Sequence, residues 1–172
     1  MSPGGDVRPG HRKVVGISEL RTSADPDDVL VTFSLGSCIG VSVWDARRKF
    51  GGLIHCMLPT ATLDPKQAQE KPAMFVDSGM TLLLERLFAL GAQREDLVVK
   101  ISGGASPLDA ADCFRIGERN CTVLRKLLWK NSILLAAAAV GGREPRTMSL
   151  FLATGVTTIR TGGVETVLES TK

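Results

Sequence analysis

The sequence predicts a mixed α/β (α+β) domain: layered mixed β-sheets with two main helices packed on them, folded as a single domain. Three observations predict it. Apolar runs with period-two alternation recur along the chain, as strands with one buried face require. Two longer stretches carry apolar residues at helical spacing. The 172 residues, 44% of them hydrophobic, contain no repeat, low-complexity tract or linker that would divide them.

Residues 1–12 are polar and rich in Gly and Pro, so they are expected to form a flexible tail before a domain at 13–165. Lys13 to Ile17 starts a short β-rich run, and Asp25-Pro26-Asp27-Asp28 reads as a turn. Val29 to Phe33 is β-branched and aromatic and reads as a strand, broken by Leu35-Gly36-Ser37. Ile39 to Trp44 resumes it with Ile39, Val41 and Val43 on one face. After a polar turn at Asp45 to Lys49 comes a further apolar strand, Phe50 to Leu58. Pro59 to Pro72 has no apolar pattern and reads as a surface loop.

Asp77 is expected to cap a helix whose stripe is Met80, Leu83, Leu84, Leu87 and Phe88, with Gly91 as its stop. Leu97 to Ile101 is a strand ended by Gly103-Gly104. A second helix is expected from Glu118 to Lys130, burying Val123, Leu124, Leu127 and Leu128. Three β-runs follow at Ile133 to Val140, Met148 to Ala153 and Val156 to Thr161, the last two joined by a tight turn at Thr154-Gly155. Residues 166–172 read as a C-terminal tail.

Composition narrows the function. The net charge, 21 minus 18 or +3, is too mild for a nucleic-acid footprint. The longest aliphatic run, Ile133 to Val140, is far short of the ~18 residues of a membrane span. Met1 to Lys13 has no apolar stretch for a signal peptide, so the expected place is the cytoplasm. Cysteines at 38, 56, 113 and 121 form no C-x-x-C pair and no zinc spacing. Each thiol therefore needs its own explanation.

Histidine is scarce: His11 in the polar tail reads as a solvated bystander, and His55 sits inside an apolar strand. A lone buried histidine is most simply one satisfied by a backbone carbonyl. A hairpin about Asp45–Lys49 gives partner sums of about 93 or 94, which places Cys38 opposite His55 or Cys56. A slip of one residue would turn His55 to the other face, so the hairpin permits a Cys–His pair without proving it. Cys38 follows Gly36 and Ser37, small residues that admit a substrate and whose backbone N–H groups could hold an oxyanion. Beside a histidine, a thiol can ionise near neutral pH and attack an acyl carbon. Thr32, on the strand entering this turn, has a hydroxyl able to orient the imidazole. The plainer readings are a buried thiol for Cys38 and β-propensity for Thr32. Cys56, Cys113 and Cys121 read as packing residues.

The run Val31-Thr32-Phe33-Ser34-Leu35-Gly36-Ser37-Cys38-Ile39-Gly40-Val41, followed by Gly51-Gly52-Leu53-Ile54-His55-Cys56-Met57-Leu58-Pro59, resembles the CheD family of chemoreceptor glutamine deamidases. The likeness continues through Phe75-Val76-Asp77, Lys100 to Ala105, Ile116-Gly117-Glu118-Arg119-Asn120, Gly141-Gly142-Arg143 and Thr154-Gly155-Val156. It implies a catalytic Cys38, His55 and Thr32 acting through a thioester on glutamine side chains of chemoreceptor cytoplasmic helices. It implies no metal or organic cofactor, and a CheC-type phosphatase as a further partner. Ser102, Ser106-Pro107-Leu108-Asp109 and Ala136 to Val140 depart from the family pattern, which bears on the partner surface and the choice of glutamine.

A reading of another class remains: a non-catalytic regulatory module that binds receptors or a CheC-type phosphatase. A third is a Cys-dependent amidase or protease on an unrelated substrate. Between Arg115 and Arg146 seven Lys or Arg face two Glu, which reads either as a solvated face or as a dock for an acidic receptor surface.

Overall fold

A computed structural model describes residues 11–106 and 115–171. The ten strands among them form two five-stranded sheets, and the helices cover one of these. The strands are β1 (His11–Val14), β2 (Leu20–Ser23), β3 (Asp28–Leu35), β4 (Ile39–Asp45), β5 (Phe50–Cys56), β6 (Leu97–Gly103), β7 (Leu135–Val140), β8 (Arg146–Phe151), β9 (Thr157–Thr161) and β10 (Val164–Val167). The helices are α1 (Pro65–Glu70), α2 (Val76–Ala89) and α3 (Ile116–Lys130). The outer sheet has the order β1-β3-β8-β9-β10 and the central sheet β2-β5-β4-β6-β7. Both are mixed, with β1 parallel to β3 and β6 parallel to β7. No helix among the described residues is long and apolar enough to cross a membrane.

Strand alternation divides the core into two layers. On the central sheet, Ile39, Val41, Val43, Ile54, Val99 and Ile101 pack against Met80, Leu83, Leu87, Leu124 and Leu128 of the helices. The opposite face sends Leu53 and Trp44 toward Leu30, Leu35, Met148, Leu150 and Ile159 of the outer sheet. Two polar ties cross this second layer. Ser42 and Thr157 share a hydroxyl bond of 2.9 Å, and the Trp44 indole N–H donates to the Leu152 carbonyl at 3.0 Å.

Several elements differ from expectation for local reasons. The first strand is His11–Val14, and β2, only four residues long, pairs with β5 at the sheet edge. The expected loop at Pro59–Pro72 contains α1. Asp64 caps it by accepting from the Gln67 N–H at 3.1 Å, with Pro65 in the first turn. That helix buries nothing, so no apolar stripe announces it. Asp77 is not the cap of α2, which begins at Val76; its carboxylate accepts from the Ala61 N–H at 2.8 Å and ties the preceding turn to the helix. β7 starts at Leu135, later than Ile133, because the Ile133 N–H bonds back to Leu128 and closes α3. β8 ends at Phe151, whose carbonyl accepts from Gly155 in the turn to β9.

Candidate active site

The site lies between the two sheets, where β3 passes over β4 and β5. The β4–β5 hairpin pairs Ile39 with Cys56, Gly40 with His55 and Asp45 with Phe50, a sum of 95 rather than 93 or 94. Cys38 is therefore opposite neither His55 nor Cys56, and it lies just before β4. The slip of two from a sum of 93 preserves the face. Cys38 packs against the inter-sheet layer, the side to which His55 projects, while Cys56 joins the helix-side core. Glycine opposite His55 leaves no side chain over the imidazole. A Cβ at Gly40 would lie 2.9 Å from Leu35 Cδ1 and 3.0 Å from Met148 Sδ, so the residue also lets the sheets approach.

Thr32 reaches His55 from the other sheet. Its Oγ1 lies 2.7 Å from His55 Nδ1 and 2.8 Å from the Val15 carbonyl. A hydroxyl has one proton, and a carbonyl can only accept, so that proton goes to Val15. Toward His55 the oxygen must then accept, which places a proton on Nδ1 and leaves the lone pair on Nε2. Nε2 is buried and makes no hydrogen bond among the described residues, to Cys38 Sγ or any other atom. Both Thr32 and His55 are fully buried.

Burial also sets the resting charges. It pushes the His55 pKa down to about 4 and the half-buried Cys38 thiol up. The expected thiolate is thus not the resting form; at neutral pH the pair is a neutral thiol and a neutral imidazole. Cys56, fully buried, is pushed up further, chiefly by desolvation.

The loop that carries Cys38 is built by a break in β3. The register against β8 shifts between Thr32 and Leu35, and Ser34 there adopts a left-handed φ of 58°. Beyond it, three successive carbonyls are tied down. Gly36 O accepts from the Ala105 N–H (2.8 Å), Ser37 O from Asn120 Nδ2 (3.0 Å) and Cys38 O from the Gly104 N–H (2.9 Å). The Gly36 N–H donates to Ser34 O at 3.0 Å, so the expectation of a free donor there is corrected. Gly36 instead offers room: a Cβ on it would meet nothing within 4 Å. The Ser37 and Cys38 N–H groups donate to no backbone carbonyl among the described residues.

Sequence reasoning did not assign a role to Asn120, which is fully buried and bonds the loop directly, or to Val15, whose carbonyl orients Thr32. Neither residue has a local signature, since each acts on a segment distant in sequence. Cys121 is half-buried on α3, where a Cβ on Gly104 would come within 2.6 Å of its sulfur. Cys113 and Pro107 to Asp109 lie outside the described residues. Ser102 is buried opposite Gly40 and donates to Ala139 O at 3.0 Å. The basic segment contributes Arg115, Arg119 and Lys126 to a groove of about 440 Å³ beside Pro59. One group of metal-ligand types occurs among the described residues, His11, Asp25 and Asp28. It sits at the other end of the β1–β3 pair from Thr32, and Lys13 and Ser23 already occupy Asp28 Oδ2.

Residues 57–161 match the family model described as CheD chemotactic sensory transduction. Thr32, Cys38 and His55 precede that span. The chain is 43% identical over 150 residues to a protein of Syntrophus aciditrophicus (strain SB) named "Probable chemoreceptor glutamine deamidase CheD 1", covering 87% of this chain and 94% of that one. It is 45% identical over 142 residues to a protein of Solibacter usitatus (strain Ellin6076) named "Probable chemoreceptor glutamine deamidase CheD", covering 83% and 84%. A third relative, from Anaeromyxobacter dehalogenans (strain 2CP-C), is 41% identical over 148 residues, covering 86% and 93%, and is named "Probable chemoreceptor glutamine deamidase CheD 2".

Proposed function

The chain belongs to the CheD family, and from that premise we propose that it is a protein-glutamine deamidase of chemoreceptor cytoplasmic helices, with Cys38 as nucleophile, His55 as acid–base and Thr32 as its orienting partner. The observation that carries this reading is the Thr32–His55 bond. It leaves a lone pair on His55 Nε2 in the layer against which Cys38 packs.

Because the resting pair is neutral, the proton leaves sulfur as the bond to carbon forms. Cys38 Sγ attacks the side-chain amide carbon of a receptor glutamine, and His55 Nε2 takes the thiol proton. The carbonyl electron pair moves to oxygen, and the Ser37 and Cys38 N–H groups are the donors proposed to meet it. As the C–N bond breaks, the imidazolium gives its proton to the departing nitrogen, which leaves as ammonia. A water then attacks the thioester carbon and passes a proton to Nε2. The C–S bond breaks, sulfur recovers that proton, and glutamate remains on the receptor. Deep burial disfavours the imidazolium, so it forms only while the substrate's charge develops beside it.

Cytoplasmic placement follows from the substrate. A CheC-type phosphatase is proposed as a second partner, and co-purification of the two proteins tests it. The deamidase domain proposed at 13–165 extends to take in the whole of β1 from His11 and of β10 to Val167.

Incubation of a purified receptor cytoplasmic fragment with the protein tests the activity, read as ammonia release and as amide-to-acid mass change at glutamine. Wild type should release ammonia, and Cys38→Ala and His55→Ala should each abolish release while keeping the wild-type circular dichroism. Full activity in Cys38→Ala would sink the mechanism. A wild-type protein that binds the fragment but leaves its mass unchanged would favour the regulatory-module reading, and chain cleavage the protease one.

A further inference from the structure

Asn120 is fully buried near the start of α3, and its carboxamide nitrogen makes two hydrogen bonds. One, of 3.0 Å, goes to Ser37 O in the nucleophile loop, and the other, also 3.0 Å, to Met57 O, two residues beyond His55. One side chain therefore joins the segments that carry the two reacting groups. Its orientation is forced, because both partners are carbonyls and only the NH₂ end can donate to them. Both amide protons are consumed, while Oδ1 finds no partner among the described residues.

The bond to Ser37 O has a chemical consequence for its neighbour. That carbonyl and the Cys38 N–H belong to one planar trans peptide, so they point in opposite directions. Fixing the carbonyl against α3 fixes the N–H toward the opposite side. A hydrogen bond to the carbonyl also polarises the peptide and strengthens its N–H as a donor.

We propose that Asn120 is a positioning residue for the deamidation: it holds the Ser37–Cys38 peptide so that the Cys38 N–H meets the oxyanion, and it keeps that loop in register with the strand bearing His55. The inference rests on the reading of Cys38 as the nucleophile. Asn120 touches no reacting atom and acts through the loop.

The experiment compares wild type with Asn120→Ala and Asn120→Asp in the receptor-fragment assay, alongside alkylation of Cys38 by iodoacetamide, a reaction that develops no oxyanion. The expected result is a ten- to hundredfold loss of kcat, somewhat under the ~10²–10³ for deleting an oxyanion donor outright, with KM and alkylation rate within about twofold. Aspartate adds a second signature. Its ionised carboxylate cannot donate to two carbonyls, but the buried acid can donate one bond when protonated. Its kcat should therefore recover in part as pH falls from about 7 to about 5, where wild type stays flat.

Unchanged kcat in both variants overturns the proposal, as does a kcat and an alkylation rate that fall together, since that marks general loss of the site. Loss of cooperative urea unfolding in both variants also overturns it, making the amide a determinant of folding. If wild type itself releases no ammonia, the deamidase reading fails and carries this one with it; active wild type with unaffected variants removes only this one.

Discussion

The Thr32–His55–Val15 relay decides which nitrogen of the imidazole is basic, and two predictions follow at the level of single residues. Thr32→Val keeps the volume but removes the acceptor for Nδ1–H, freeing the ring to adopt the unproductive tautomer. It should lower kcat by roughly ten- to a hundredfold with little change in KM, whereas Thr32→Ser should retain most activity. The second prediction concerns pH. In the proposed mechanism His55 must be neutral to accept the thiol proton, and burial holds its pKa at about 4, below the ordinary 6.5. The acid limb of kcat/KM should therefore bend near 4, and a bend near 6.5 would contradict the burial argument. Stability moves in the same direction. Between pH 6.5 and about 4 the unfolded chain binds a proton that the folded one refuses, so stability falls as pH drops through that window. The contribution is about 3 kcal/mol, readable as a lower urea midpoint in wild type and a smaller acid sensitivity in His55→Ala. Of these residues, Cys38, His55 and Thr32 were legible as candidates by type, and the resemblance to the family motif supplied the roles proposed for them. Val15 was not, because a backbone carbonyl carries no residue code.

Among elements, the end of β6 holds the loop that carries Cys38. Gly103 has a φ of +102°, and a Cβ there would fall 2.2 Å from Cys38 O. Gly103→Ala should therefore cost about 2–4 kcal/mol in urea unfolding and most of the activity, since the carbonyl of the proposed nucleophile itself must move. Gly91 is the matched control. Its φ is +104° at the end of α2, but nothing lies within 4 Å of the added methyl. Gly91→Ala should cost only about 1 kcal/mol and leave kcat unchanged. Equal effects at the two glycines would show that backbone strain, rather than the clash with Cys38, is responsible. The sequence marked Gly103-Gly104 as a strand end and the two main helices by their stripes, because these are local patterns. It did not mark α1 or β2, which bury little and so show no periodicity. The hairpin was legible but its register was not: a turn of several residues admits several pairings, and packing against β3 and β6 selects the sum of 95.

Over the whole molecule, the two core layers divide the work. The helix-side layer buries most of the large aliphatic residues, while the inter-sheet layer sets the distance that the Thr32–His55 bond must span. Leu53→Ala and Leu128→Ala remove equal side chains from the two layers, both essentially fully buried. Each should cost about 2–5 kcal/mol. Measured at a temperature where both are folded, Leu53→Ala should also lower kcat severalfold, because a cavity between the sheets lets β3 shift relative to β5; Leu128→Ala should not. Equal kcat losses would argue against this division.

The sequence by itself determined the fold class, the main helices, the β4–β5 hairpin and the candidate nucleophile and histidine. These depend on periodicity, turn chemistry and residue type, all written within a few residues of one another. Only the tertiary structure decided how the candidates meet. Thr32 and His55 lie on different sheets, the Val15 carbonyl arrives from the residue just past a parallel edge strand, and Asn120 reaches the loop from a helix 83 residues along the chain from Ser37. Such contacts are fixed by the packing of layers, and no local pattern encodes the distance between two sheets. The same packing reversed one electrostatic expectation: the desolvation that buries the pair raises the thiol, lowers the imidazole and keeps both neutral at rest.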